Sequence, residues 1–170
     1  MNMESFTLLV FIGLIFSCSS SETKIITNKL GNHSIEILPD WDYKFEKTST
    51  RIGKTKYYGT QYVTGTLLIS EGLSEYNTLD ETFETYLSQF PNAFKDFKKI
   101  SEGKTEINGL TSRWFRMTDN DNGTIYTTVQ YVIQQKGKVS YSLKCSATRD
   151  TFKDFEEDFN KMVFSYKRLD

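Results

Sequence analysis

Residues able to do acid, base or nucleophilic chemistry are few in this sequence. His33 is the only histidine among 170 residues, so a catalytic triad or a histidine-based metal site has one candidate and no partner histidine. The sequence contains no phosphate-binding loop, no nucleophile elbow and no pair of cysteines at metal-binding spacing. We therefore predict that His33 is an exposed residue at the edge of the first strand, and that the protein is not an enzyme and uses no metal or cofactor.

The acidic segment before Gly123 is a second candidate for chemistry. Asp119, Asp121 and Asn122 resemble a calcium-binding loop, but the glycine comes one place early and Gln130 stands where a bidentate glutamate is needed. Asn-Gly is also the strongest short hairpin signal, because both central residues of a type I′ turn need a positive φ. We interpret this segment as a hairpin turn.

Cys18 follows an apolar run that has the properties of a secretory signal. The run Phe6–Phe16 is shorter than the roughly 20 apolar residues of a membrane-spanning helix. Leu14-Ile15-Phe16-Ser17-Cys18 resembles the bacterial lipobox, although Phe16 is bulkier than usual and no Lys or Arg precedes the run. We predict that Cys18 is the lipid attachment site. The alternative is a buried first helix or an uncleaved anchor helix.

Cys145 lies where apolar and polar residues alternate. Its side chain shares a strand face with Tyr141, Leu143 and Ala147, so we predict that its thiol is buried and unreactive. A disulfide to Cys18 would fix a flexible tether to the middle of a sheet, and we expect no intramolecular disulfide.

The composition predicts one neutral domain behind a lipid anchor. The sequence has 21 basic and 22 acidic residues. This balance argues against binding to nucleic acid, which needs a strongly basic surface, and against electrostatic binding to anionic lipid. We divide the chain into a signal peptide at 1–17, a Ser-rich, poorly ordered tether at 18–28 and a domain at 29–170. We expect a lipoprotein, carrying palmitate, at the outer membrane of a bacterial cell envelope.

A β-meander is the clearest structural signal. Thr111–Thr118, Thr124–Gln135 and Val139–Ala147 are rich in β-branched and aromatic residues, and Ile100–Ile107 leads into them as a polar strand. Alternation in the third strand predicts one buried and one wet face. The wet face comprises Lys138, Ser140, Ser142, Lys144 and Ser146.

Two strands are predicted upstream. Ser34–Leu38 and Gln61–Glu71 have strand patterns, and Pro39-Asp40-Trp41 ends the first of them, which places Trp41 over one end of the sheet. Residues 42–57 are mixed in charge and weakly periodic, so they predict a loop with at most a short strand.

Two amphipathic helices complete the α+β pattern. Thr78-Leu79-Asp80-Glu81 has the spacing of a capping box, and the helix that follows is expected to end at Pro91. Asp150 or Thr151 caps the second helix, after which Val163–Tyr166 returns to an extended pattern. We place both helices on one face of an antiparallel sheet.

The chain resembles the PsbP-like superfamily from Ser34 to Lys167. The resemblance rests on Ile35–Trp41, Ile107-Asn108-Gly109, Tyr141–Ala147 and the Phe-rich helix leading into Phe164–Lys167. It implies an αβα sandwich, and accessory or binding proteins that generally lack enzymatic activity, DcrB-type bacterial lipoproteins among them. It carries over no binding residue.

Three aromatic residues are candidates for a binding surface: Trp41, Trp114 and Tyr126. Trp114 opposes Phe115 on its strand and Tyr126 opposes Ile125, so they form a cleft or partner patch unless helices cover both layers. We predict a non-catalytic, membrane-anchored envelope lipoprotein that engages another envelope protein or a small ligand. The alternative is an envelope hydrolase that uses carboxylates alone, which requires two close carboxylates in a deep apolar cleft.

Overall fold

The computed structural model describes residues 22–72, 78–134 and 138–169. The predicted signal peptide, Cys18 and the start of the predicted tether lie outside these residues. Within them the chain forms, in order, β1 (Lys24–Asn28), β2 (His33–Ile37), β3 (Asp42–Glu46), β4 (Ser49–Tyr58), β5 (Gln61–Glu71), α1 (Leu79–Ala93), β6 (Lys98–Ile107), β7 (Leu110–Asp121), β8 (Thr124–Ile133), β9 (Tyr141–Thr148), α2 (Phe152–Ser165) and β10 (Lys167–Arg168).

The larger sheet is antiparallel throughout and contains the predicted meander. Its strand order is β3-β4-β5-β9-β8-β7-β6. Asn108-Gly109 and Asn122-Gly123 form two of its tight turns, with φ of 49° and 81° in the first and 52° and 90° in the second, as a type I′ turn requires. The hairpin interpretation of the acidic segment is confirmed. The turn between β8 and β9 includes residues outside the described part of the chain.

A smaller sheet, in the order β1-β2-β10, packs beside the larger one. Its first strand occupies residues 24–28, which the sequence assigned to the tether. The side-chain amide of Asn28 donates to the carbonyls of Lys47 and Ser49, both at 3.0 Å, and Ile26 is buried. Residues 24–28 therefore form part of the folded domain.

Three other boundaries differ from the prediction. Residues 42–57 form the hairpin of β3 and β4 instead of a loop; β3 is an edge strand without a fully buried position, so burial left no periodic signal. Helix α1 continues through Pro91 to Ala93. Helix α2 includes Val163 and ends at Ser165, because Met162 and Val163 extend its buried stripe.

The predicted capping box of α1 is confirmed: the amide of Glu81 donates to the Thr78 hydroxyl at 3.2 Å.

The two helices lie on opposite faces of the larger sheet, not on one face. Phe83 and Phe90 of α1 pack with Phe115, Met117 and Val132. Side chains of a strand alternate between faces, so the neighbouring residues of these strands point to the other side. That side is covered by α2 and the smaller sheet, and the result is an αβα sandwich.

The face of β9 that was expected to be wet is partly covered. Ser140 and Ser142 are buried, and the Ser142 hydroxyl lies 2.9 Å from that of Ser70 on β5. This pairing satisfies polar groups that burial would otherwise leave without partners. The opposite face of β9 carries Cys145, whose predicted burial is confirmed.

Candidate functional site

A pocket of about 240 Å³ opens between α2 and the β6-β7-β8 half of the larger sheet. Its floor is apolar and comprises Val129, Tyr131, Cys145 and Phe159. Its rim is formed by Trp114, Arg116, Phe152 and Glu156. We call this site the α2 pocket.

Strand alternation and sheet register bring the wall residues of the α2 pocket together. Trp114 and Arg116 occupy alternate positions of β7, so both point toward α2. Arg116 is paired with Val129 on β8, which in turn is paired with Cys145 on β9. On α2, positions four and seven residues after Phe152 lie on the same side of the helix, which places Glu156 and Phe159 above these strands.

A glycine allows the Trp114 indole to lie against β6. Gly103 is paired with Trp114 in the β6–β7 ladder, and a Cβ at Gly103 would lie 3.0 Å from the indole. Even an alanine at this position would therefore require the ring to shift by a few tenths of an ångström. The absence of a side chain at this position lets the indole form one wall of the pocket.

The rim carries one ion pair, and the floor carries neutral polar groups. Arg116 donates to a carboxylate oxygen of Glu156, and its guanidinium lies 5.2 Å from the Phe152 ring centroid. Burial raises the pKa of Tyr131 to about 12, so its hydroxyl stays protonated and can donate. Burial also raises the pKa of the Cys145 thiol far above its ordinary value. These groups suit binding better than proton transfer or nucleophilic attack near neutral pH.

Comparison with known proteins identifies the architecture. No protein-family model and no curated protein sequence matches this chain. Among solved structures, LpqN of Mycobacterium tuberculosis, described as involved in cell envelope biogenesis, matches with a TM-score of 0.64 and 14% identity over 88% of this chain and 91% of LpqN. Cyanobacterial PsbP from Synechocystis matches with a TM-score of 0.55 and 12% identity over 93% of this chain and 99% of that protein. The chain has the PsbP-like fold.

The PsbP-like fold extends to a eukaryotic protein. The Ran-binding protein Mog1p of Saccharomyces cerevisiae matches with a TM-score of 0.60 and 8% identity, covering 89% of this chain and 97% of Mog1p. At such identities the likeness confirms the predicted fold and transfers no residue roles.

The three predicted surface aromatics occupy three different places in this PsbP-like fold. Trp114 lines the α2 pocket. Tyr126 lies on the opposite face of the sheet and lines a different cavity. Trp41 is a core residue, not a surface residue: it is 4% exposed, and its indole N–H donates to Asp158 at 3.0 Å. The Trp41 ring packs 5.5 Å from that of Phe159, between centroids, and so supports the pocket floor from behind.

His33 is buried, and the prediction of an exposed edge residue is wrong. Its side chain is 1% exposed because β2 lies between the other two strands of the smaller sheet. Its Nδ1 lies 2.8 Å from the Gly31 carbonyl and its Nε2 lies 2.8 Å from the Thr50 hydroxyl. Since a carbonyl only accepts, Nδ1 carries the proton and Nε2 accepts from Thr50. Burial lowers the pKa of this histidine.

Arg116, Tyr131 and Glu156 were not predicted as site residues. Two signals in the sequence point to Arg116 and Glu156. Arg116 lies two residues after Trp114, on the same strand face and opposite Phe115, and Glu156 follows Phe152 by four residues on α2. The charge of Glu156 favoured a solvent-facing position, whereas it pairs across the pocket with Arg116.

Proposed function

We propose that this protein is a non-catalytic binding protein of the bacterial cell envelope, held at the outer membrane by a lipid on Cys18. The α2 pocket takes an apolar group, supplied by a small ligand or by a side chain of another envelope protein. The observation that carries this proposal is the open apolar pocket with an ion pair at its rim. A binding role is supported by the neighbours of the fold, which include a Ran-binding protein and a protein involved in cell envelope biogenesis.

The size of the α2 pocket indicates how large a group it accepts. An engineered apolar cavity of about 150 Å³ binds benzene, and the α2 pocket measures about 240 Å³. It therefore has room for a group larger than one benzene ring, such as an indole or a short branched acyl chain. The Tyr131 hydroxyl and Arg116 allow that group to carry a hydrogen-bonding or acidic substituent.

A fluorescent apolar dye tests the proposed site. We would titrate the domain with N-phenyl-1-naphthylamine and compete the dye off with indole. Trp114→Ala is expected to weaken dye binding about tenfold or more, because the variant removes one wall of the pocket. Tyr126→Ala is the matched control, since it removes a half-buried aromatic ring from the opposite face and should leave dye binding at the α2 pocket unchanged. Equal binding by both variants and the wild type would exclude the α2 pocket as the site.

The hydrolase alternative gains no support from the pocket geometry. It requires two close carboxylates in a deep apolar cleft. The α2 pocket contains one carboxylate, Glu156, which is paired with Arg116. Asp119 and Asp121 do share a cavity, but that cavity is polar and includes Lys144. We therefore put forward binding alone.

A further inference from the structure

A second cavity, on the α1 side of the sheet, contains two opposite charges that are not paired with each other. It measures about 430 Å³ and lies where β7, β8 and β9 meet the loop after α1. Asp119 of β7 and Lys144 of β9 both line it. In the described part of the chain, neither side chain forms a salt bridge or a side-chain hydrogen bond, although the two charges attract each other. We call this site the dipolar cavity.

Both charges are partly removed from water. Burial lowers the pKa of Lys144 and raises the pKa of Asp119. The Lys144 ammonium lies 4.5 Å from the centroid of Phe94, the residue that caps the C-terminus of α1, and this contact holds the ammonium at the cavity wall. The two charges attract each other, but burial has the larger effect on both pKa values, so this attraction offsets only part of the lost hydration. A ligand that brings complementary charges recovers that loss.

The remaining polar groups of the dipolar cavity leave few other partners for these charges. The Ser146 hydroxyl accepts from Thr128 at 2.9 Å, so its own proton remains available for donation into the cavity. Asn120 forms hydrogen bonds with other groups: its side-chain NH2 donates to Asp96 at 3.0 Å and its side-chain carbonyl accepts from the Gly123 N–H at 2.8 Å. Tyr126 supplies an aromatic wall.

The charge balance of the cavity decides what kind of ligand fits. Exposed Lys95 and Asp121 line the same cavity and add one charge of each sign. A simple anion bound at Lys144 would be repelled by the two aspartates, and a simple cation bound at Asp119 would be repelled by the two lysines. A ligand that carries both charges avoids both repulsions.

We propose that the dipolar cavity binds a small zwitterion of the amino-acid class, with its carboxylate at Lys144 and its ammonium at Asp119. The side chain of the ligand lies against Phe94 and Tyr126. This site is on the opposite face of the sheet from the α2 pocket and does not depend on it.

An NMR titration with four small probes tests this inference. We would add L-alanine, acetate, methylammonium and glycerol separately to the isotope-labelled domain and follow its amide signals. L-Alanine is expected to shift the amides of residues 119–126 and 144–146, with affinity about tenfold or more above that of each other probe. Lys144→Met and Asp119→Asn should each weaken alanine binding by a similar factor. Lys153→Met, on the exposed side of α2, is the matched control and should have no effect.

Four results would overturn the proposal. Acetate binding as tightly as alanine, with Asp119→Asn harmless, would indicate a plain anion site. Methylammonium binding as tightly, with Lys144→Met harmless, would indicate a cation site. Glycerol binding equally would indicate a polyol site, and an absence of shifts with all four probes would exclude a small-molecule site. If one variant failed to fold, the four probes on the wild type and the other variant would still distinguish a zwitterion site from these alternatives. Dye binding at the α2 pocket, measured on the same variants, shows whether the two proposals fail separately.

Discussion

Replacement of His33 tests the tautomer and the burial that the structure assigns to it. Protonation of Nε2 would turn this atom from an acceptor into a donor toward the Thr50 hydroxyl. The Thr50 hydroxyl donates its proton to Nε2, and its oxygen accepts from Asn28 at 3.3 Å. Protonation of Nε2 would therefore leave the Thr50 proton without its acceptor. The ring is also enclosed by Tyr166 and Tyr141, with centroids at 6.0 Å and 6.2 Å. Glu71 is the charge that favours the protonated form, and burial outweighs it.

The sign of the pH effect follows from the lowered pKa. The unfolded chain takes up a proton on His33 as the pH falls through about 6.5, whereas the folded protein takes it up only at lower pH. Stability contributed by His33 is therefore present above pH 6.5 and is lost as the pH falls. The free energy of unfolding should decrease by at most about 1.4 kcal/mol per pH unit, and the decrease should stop below the folded pKa.

Urea unfolding between pH 7.5 and pH 5 of the wild type and His33→Gln measures this effect. Glutamine keeps one donor and one acceptor but does not titrate, and changes from carboxylates cancel in the difference between the two proteins. At pH 7.5 the variant should be less stable by about 1–3 kcal/mol because of imperfect packing and hydrogen bonding. The difference in the free energy of unfolding between the wild type and the variant should become smaller as the pH falls. If this difference stays constant, or becomes larger toward pH 5, the assigned tautomer is wrong and burial does not lower the pKa of His33.

Three further substitutions test separate parts of the structure. Cys145→Ser should destabilise by about 1–3 kcal/mol in urea unfolding, because a hydroxyl would be buried without an evident partner; rapid labelling of the native wild-type thiol would contradict this. Tyr166→Phe should leave the melting temperature unchanged or higher, because the buried Tyr166 hydroxyl has no partner in the described residues; a loss of 1 kcal/mol or more, on the scale of about one hydrogen bond, would reveal a missed partner. Cys18→Ala should abolish metabolic labelling with a fatty-acid analogue in whole cells; retained label would reject the lipid attachment site.

Sequence patterns predicted the elements whose burial is one-sided or whose ends carry specific side chains. The β5 prediction, Gln61–Glu71, agrees with the structure, and so does the capping box at Thr78. Edge strand β3 could not be predicted this way, because Tyr43 and Phe45 are exposed and its alternation does not separate buried from wet positions. Short β1 depends on pairing with β2, and local sequence does not encode that contact.

The sequence of β8 indicates that the larger sheet is covered on both faces, as it is by the two helices. Residues Thr127–Ile133 are buried without interruption, and their sequence is an almost continuous run of β-branched and aromatic residues. Such a run favours a strand covered on both faces, not a half-wet one. In the neighbouring strand β9, alternation alone predicts that the face carrying the serines is exposed to solvent. Polar side chains that pair with each other, as Ser70 and Ser142 do, hide burial from any pattern based on hydrophobicity.

Both candidate sites depend on charged side chains at positions that a helix or a loop covers. Strand alternation assigns Arg116 to one face and Lys144 to the other, but it does not say which helix or loop lies above each position. Helix α2 supplies a counter-charge for Arg116 through Glu156, whereas the loop after α1 supplies the ring of Phe94, but no carboxylate, to the cavity that contains Lys144. The difference between the Arg116–Glu156 ion pair and Lys144, which forms no salt bridge within the described residues, therefore arises from tertiary packing between segments far apart in the chain.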